Sequence, residues 1–206
     1  MTTPTATHWS ELTFLVVDVE GNGHNPHEII ELASVPIRSG FIQNDSMQWL
    51  IRPIQPVMQQ AIDLHGITNE DLTDQPSFQV LASSIHSVLG EQILIGHHVQ
   101  IDYQLIKTQL PRWEPLLVLD TIKLAKAVAP NLKSYALGSL IAEFAISDLP
   151  PGPQHRAMYD AVATAKLFLS LVRQLDVDGQ LTLARLAELG ASSSDSFFSR
   201  TQGGLF

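Results

Sequence analysis

The 206 residues are 45% apolar and only 16% charged, with 12 Lys and Arg against 21 Asp and Glu, a net charge of −9. That length and apolar content suit one domain with a real core, while the acidic balance argues against non-specific coating of nucleic acid, which draws on Lys and Arg. Cysteine is absent, which excludes disulfide frameworks, zinc–thiolate sites and thiol nucleophiles. Met1–Glu11 carries no signal-peptide pattern, and no apolar run approaches the ~18 residues of a membrane span, so a soluble, cytoplasmic protein with no membrane partner is expected.

Residues 1–11 are polar and Thr-rich and read as a flexible arm. Thr13–Val19 is short, apolar and β-branched, a buried strand broken by the Gly/Asn/Pro-rich GNGHNPH. Strands are expected at Glu28–Ile37 and Met47–Arg52, joined by a loop at Arg38–Ser46 compatible with a hairpin, so that three antiparallel strands come first. The periodicity then becomes helical over Pro76–Leu89. A strand at Gln92–Ile95, a helix at Val99–Leu110 and a short strand at Leu116–Leu119 follow, then helices at 121–128 and 135–144. PPGPQ at 150–154 is a rigid loop, and an Ala- and Leu-rich helix runs Ala157–Leu175. A last helix near 180–189 ends at Gly190, read as its C-cap. The pattern predicts a three-layer α/β domain over 12–175 with a mixed sheet, a C-terminal helix within 176–190, and a tail over 191–206 that begins as a Ser-rich linker.

The chemistry-bearing residues are acids. Asp18 and Glu20 are two apart on the most apolar strand, so alternation puts both carboxylates on one face. Buried there they need a cation; at a strand end they can instead reach solvent. Asp102 falls in the first turn of a helix after Gly96-His97-His98, and Asp160 near the start of another, places where an acid also serves as a helix-dipole partner. His155, five residues before Asp160, belongs on the Pro-rich loop, either idle and exposed or free to act as a base. All three acidic sites are C-terminal ends of strands or N-terminal ends of helices, which converge on one crevice in an open α/β sheet. Four carboxylates without cysteine match Mg²⁺ or Mn²⁺, and two such ions about 3.5–4 Å apart are an apparatus for cutting phosphodiesters.

Three motifs in order carry a resemblance: VVDVEGNG at 16–23, IGHHVQID at 95–102 and HRAMYDA at 155–161. EIIELASV at 28–35, LHGITNEDL at 64–72 and DTIKLAKAVAPNLKSYALGSL at 120–140 add to it. Over residues 12–172 the chain resembles the DEDDh-type 3′–5′ exonucleases, the superfamily of the proofreading epsilon subunit of bacterial DNA polymerase III. The resemblance implies a ribonuclease-H-like fold, with a five-stranded mixed sheet flanked by helices. It also implies two divalent cations held by Asp18, Glu20, Asp102 and Asp160, with His155 as general base. Histidine suits that role because its unperturbed pKa lies near neutrality. Where the family often has Thr-Thr-Gly after the glutamate, this chain has Gly21-Asn22-Gly23, whose small residues would let a 3′-terminal nucleotide approach the backbone. His98 stands where the family usually has Asn and Ile101 where it often has Phe. His65 falls in a loop near the family's substrate site, where it either contacts substrate or packs the loop, and His97 either orients its turn or does not.

The resemblance implies release of nucleoside 5′-monophosphates from 3′ ends of mainly single-stranded DNA, in replication or repair. Trimming of RNA or short oligonucleotides is the alternative, and a non-catalytic adaptor a further one. Between Tyr103 and Tyr135 the chain is net +3, carried by Lys107, Arg112, Lys123, Lys126 and Lys133. This segment, Lys123 and Lys126 above all, and Arg156 are the candidate contacts to the strand backbone. The last five residues, with Gln202, Leu205 and Phe206, resemble the bacterial sliding-clamp-binding pentapeptide; they either dock on a clamp or fold back onto the domain.

Overall fold

The structure, a computed structural model, describes residues 4–192. Its sheet grows outward from the most apolar stretch of the sequence, which forms β1 (Thr13–Gly21). β2 (Ile29–Arg38) runs antiparallel to it, with Thr13 opposite Arg38 and Glu20 opposite Glu31. β3 (Phe41–Ile42) and β4 (Met47–Leu50) both pair antiparallel with β2. On the other side of β1, β5 (Ile93–Gly96) and β6 (Leu117–Asp120) add in parallel. The sheet is mixed, five strands across in the order β3-β2-β1-β5-β6, with β4 the sixth. The extra strand is β3, whose two residues lie inside the expected hairpin loop and are too few for a periodicity to register.

Eight helices are described: α1 (Gln59–His65), α2 (Asn69–Leu72), α3 (Phe78–Leu89), α4 (Gln100–Gln109), α5 (Thr121–Val128), α6 (Leu137–Glu143), α7 (Ala157–Leu175) and α8 (Leu183–Gly190). Alternation along β1 splits them into two layers. Phe14 and Val16 join Ala33, Val35 and Ile37 of β2 in the core that holds Ala161, Ala165 and Phe168 of α7. Leu15 and Val17 join Leu32 and Leu94 in a second core with Ile85 and Leu89 of α3 and Ile106 of α4. Asp18 and Glu20 continue the α7-facing row, which directs both carboxylates toward the N-terminal end of that helix. α1 and α2 were not expected. They are short, but α2 does carry a local signature, the reciprocal capping box of Thr68 and Asp71.

Two expectations are corrected. The N-terminal segment over residues 4–11 is not a loose arm: it forms two 3₁₀ turns, Pro4–Ala6 and Trp9–Glu11, and Trp9 is buried. Trp9 N donates to Leu181 O at 2.9 Å, and Asp176 accepts from Trp9 Nε1 at 2.8 Å while meeting His8 Nε2 at 3.0 Å. A tryptophan can bury its large apolar area this way because its one polar atom finds an acceptor. Gly190 is the last residue of α8, not its cap, which is Ala191. A Cβ at Gly190 would stand 2.8 Å from Leu124 Cδ2, so the glycine serves close packing of α8 on α5. Among the described residues, no helix is long and apolar enough to cross a membrane.

Candidate active site

Asp18 and Glu20 lie near the C-terminal end of β1, and Asp160 is the fourth residue of α7. One oxygen from each lies within 4.8 Å of the others, a group that could hold a metal ion. Asp102, in the first turn of α4, is buried, and its Oδ1 accepts from Val19 N at 3.0 Å. This bond ties α4 to the strand segment between the two acids. Burial and then repulsion from Asp102 raise the Asp18 pKa, so the fourth carboxyl acts on the cluster electrostatically.

Burial raises all four carboxyl pKa values, and within the set repulsion adds to it at Asp18 and Glu20. Asp18 lies well above the ordinary carboxylate range, through burial first and then repulsion from Asp102, Glu20, Asp160 and Glu31. Glu20 is pushed up to about 8 by burial and then by Asp160, Glu31 and Asp102. Asp102 is raised to about 7 by burial, against the opposing bond from Val19. Asp160 is raised by burial, against the hydrogen bond it accepts from His155 N. Hard oxygen donors whose negative charges crowd in this way suit divalent cations such as Mg²⁺ or Mn²⁺.

His155 is exposed on the loop before α7 in a left-handed conformation, φ 61°, and its backbone N–H donates to Asp160 Oδ2 at 2.9 Å. Arg156 forks onto Glu31: its Nε and Nη2 donate to that carboxylate at 3.1 and 2.7 Å. Glu31 is the residue the sequence reading missed. Its signal was present, an acid in the middle of an otherwise apolar strand in EIIELASV.

The other candidates separate on inspection. Asn22 is fully buried as the organiser of its turn, its Oδ1 accepting from His24 N and Glu28 N and its Nδ2 donating to Glu28 Oε1. It is thereby withdrawn from substrate contact. Lys123 donates to Ala191 O at 2.6 Å and Ser192 O at 3.4 Å, which commits it to the chain leaving α8. Lys126 instead lies over the Tyr135 ring, 5.3 Å from its centroid, on the wall of a cleft of about 860 Å³. Asp18, His97, His98, His155, Tyr159 and Asp160 also line that cleft. Glu20, Gly21, Gly23, His65 and Ile101 border a separate groove of about 280 Å³, with Met58 and Leu64 on its apolar side. Gly23 has φ +84°, and a side chain there would press on Ala61 and Met58. His65 is buried, its Nδ1 accepting from Ile67 N at 3.0 Å. His97 orients its turn, its Nδ1 meeting Thr121 Oγ1 at 2.9 Å. Gln202, Leu205 and Phe206 lie outside the described residues.

A family model described as Exonuclease (RNase_T) matches residues 15–168. The PolC-type DNA polymerase III of Oceanobacillus iheyensis is 34% identical over 171 residues, which is 80% of this chain but 12% of the polymerase. The chain thus spans only about an eighth of the PolC-type relatives it matches. The DNA polymerase III subunit epsilon of Aquifex aeolicus is 30% identical over 169 residues, 79% of this chain and 82% of that subunit. The solved structure of exonuclease X in complex with 5′ overhanging duplex DNA superposes with a TM-score of 0.70 at 27% identity, covering 85% of this chain and 98% of that one.

Proposed function

The chain belongs to the Exonuclease (RNase_T) family, and on that footing we propose that it is a metal-dependent 3′–5′ exonuclease. It hydrolyses phosphodiester bonds at the 3′ ends of mainly single-stranded DNA and releases nucleoside 5′-monophosphates, in the cytoplasm, in replication or repair. Its mixed sheet between helical layers is the ribonuclease-H-like fold of that family. The observation that carries the reading is the convergence of Asp18, Glu20 and Asp160 within 4.8 Å, with Asp102 bonded to the intervening Val19 and His155 beside Asp160.

Asp18, Glu20, Asp102 and Asp160 would hold two divalent cations, and the crowding of their charges supports that fit. Bound there, such ions supply Lewis-acid activation of a water and stabilisation of the leaving oxygen. The protein's own part is positional. β1 and α7 fix three donors, α4 fixes the fourth, and the imidazole of the exposed His155 accepts the proton of the attacking water. The apolar groove of Gly21, Gly23, Met58, His65 and Ile101 beside Glu20 suits the terminal nucleotide, and the larger cleft with His98, Lys126 and Tyr135 suits the strand that precedes it. The tail residues Gln202, Leu205 and Phe206 would add docking on a sliding clamp. A pull-down with residues 202–206 deleted tests that part separately, since undiminished clamp binding removes it.

The test is a time course on matched 5′-labelled DNA and RNA, single- and double-stranded, with Mg²⁺ or Mn²⁺. Ladders shortening from the 3′ end of single-stranded DNA, abolished by Asp18→Ala, are expected. Faster loss of RNA would favour the trimming alternative, and the absence of any ladder would leave an adaptor with an exonuclease fold.

A further inference from the structure

Glu31 is fully buried next to the carboxylate cluster, yet all of its hydrogen-bonding capacity is taken. Oε1 accepts from Arg156 Nη2 at 2.7 Å and Gln48 Nε2 at 2.6 Å. Oε2 accepts from Arg156 Nε at 3.1 Å and the Ala157 backbone N–H at 2.9 Å. A carboxylate saturated by four N–H donors has no lone pair left for a cation, so Glu31 is not a fifth ligand of the cluster. What it grips is the start of α7. Arg156 is the residue immediately before that helix, Ala157 its first residue, and neither is held by a side-chain cap of the helix itself. The preceding residues, from Pro150 to Gln154, are exposed or half-buried, and His155 sits in a left-handed conformation that its neighbours must hold in place.

We infer that the Glu31–Arg156 fork is a positioning device: it fixes the N-terminus of α7, and through it the His155 ring relative to Asp160 and the rest of the cluster. The inference rests on the exonuclease reading, in which His155 moves a proton. Two links support it. Asp160 N donates to Arg156 O at 3.0 Å, and Asp160 Oδ2 in turn accepts from the backbone N–H of His155, the residue before Arg156, at 2.9 Å, so a displaced Arg156 would shift both functional residues. Gln48 brings β4 into the same arrangement, which ties the helix start to the strand paired with β2.

Removing one partner leaves a buried charge, so single variants confound folding with positioning. The double variant Glu31→Gln/Arg156→Gln removes both charges, and Arg156→Lys keeps the charge while losing the planar fork. In each, thermal midpoint, kcat and KM on a single-stranded 3′ end, and the broadening of His155 ring resonances by added Mn²⁺ are compared with the wild type. A positioning role predicts a folded double variant with kcat down at least tenfold, KM within about twofold and weakened Mn²⁺ broadening of His155. Arg156→Lys is expected to lose kcat several-fold at an unchanged midpoint. Wild-type kcat in either folded variant overturns the inference, as does lowered kcat with unchanged His155 broadening. If the wild type releases no nucleotide from any substrate, the exonuclease reading fails, while the broadening comparison still decides whether the fork places His155.

Discussion

Glu20 and Glu31 stand opposite one another across the β1–β2 pair, and their carboxyl groups are driven in opposite directions. Glu20 is pushed up to about 8 by burial and by Asp160, Glu31 and Asp102. Burial pushes Glu31 up too, but N–H donation from Arg156, Ala157 and Gln48 outweighs it and holds the group below its ordinary value. The two acids thus divide the local charge problem. One has its cation and donors built into the protein, and the other belongs with Asp18 and Asp160 to a group that could hold an added cation.

That division sets the pH dependence of the cation-free protein. The folded-state pKa values of Asp18, Glu20, Asp102 and Asp160 are raised, Glu20 to about 8 and Asp102 to about 7. Carboxyls in an unfolded chain titrate near ~4. Between those limits the folded state keeps protons that the unfolded state has lost, so unfolding free energy falls as pH rises. Melting of the EDTA-treated protein should therefore show Tm declining from about pH 4.5 to pH 8 through this cluster. Added Mg²⁺ or Mn²⁺ should flatten the decline, with the largest Tm gain near pH 8. Asp18→Asn should weaken the slope and raise the cation-free Tm at pH 8 by a few degrees. An identical pH profile in Asp18→Asn would show that the cluster does not control it.

Two lysines three residues apart on one helix should behave differently. Lys126 faces the cleft over Tyr135, whereas Lys123 holds the carbonyls of Ala191 and Ser192. Lys126→Ala should raise KM about three- to tenfold and reduce its dependence on salt, since each lost phosphate contact lowers the salt slope. Lys123→Ala should leave KM unchanged and lower stability by about 1 kcal/mol, the worth of a hydrogen bond to a charged donor at a partly exposed site. Equal KM effects from the two would show that the cleft wall does not contact the strand.

Those lysines mark how far the sequence could be read. The spacing of Asp18 and Glu20 on an apolar strand, and of Asp102 and Asp160 at helix starts, was legible because each rests on local periodicity and known termini. The same holds for the mixed character of the sheet, since a meander followed by βαβα supplies both antiparallel and parallel pairs. The roles of Lys123, Arg156 and Asn22 depend on partners 68, 125 and 6 residues away in the chain, respectively. A basic or polar side chain near a motif looks the same in sequence whether it faces solvent or a buried carboxylate. The N-terminal segment failed for a related reason: its polarity masks one tryptophan whose acceptor lies 167 residues on.

That acceptor, Asp176, joins the first residues of the chain to the turn between α7 and α8. Burial would raise its pKa, but donation from Leu181 N, Trp9 Nε1 and His8 outweighs this and lowers it. A depressed carboxylate pKa contributes stability that is present above the unfolded value, ~4, and is lost as pH falls through the folded one. Asp176→Ala leaves the Trp9 indole N–H and the Leu181 N–H without their acceptor and should cost about 1–3 kcal/mol in urea titration. With Trp9 so placed, loss of its near-native fluorescence should accompany the change, while kcat and KM measured well below the melting midpoint stay as in the wild type. Unaltered stability in Asp176→Ala would return residues 4–11 to the status of an arm.

A pair of glycines offers a control for strain near the carboxylates. At Gly96, the last residue of β5, an added Cβ would stand 2.7 Å from Val99 Cγ2 and 3.3 Å from the Val99 Cα. Val99 is fully buried and the clash includes backbone, so the turn itself must move. That turn carries His97 and His98 and leads into α4, which holds Asp102 against Val19. At Gly190 a Cβ would meet Leu124 Cδ2 at 2.8 Å and Leu124 Cγ at 3.0 Å, side-chain atoms packed beneath α8. Overpacking of either kind costs typically about 1–3 kcal/mol, and at Gly190 the gain of about 1 kcal/mol in helix propensity offsets part of it. Both Gly→Ala variants should therefore lower the urea midpoint. Only Gly96→Ala should also lower kcat in the folded protein, by about tenfold or more, because small misplacement of a reacting group is costly. If Gly190→Ala lowers kcat to the same degree at matched folded fraction, the loss reflects general loosening of the domain, and the turn before α4 holds no special place in ordering the site.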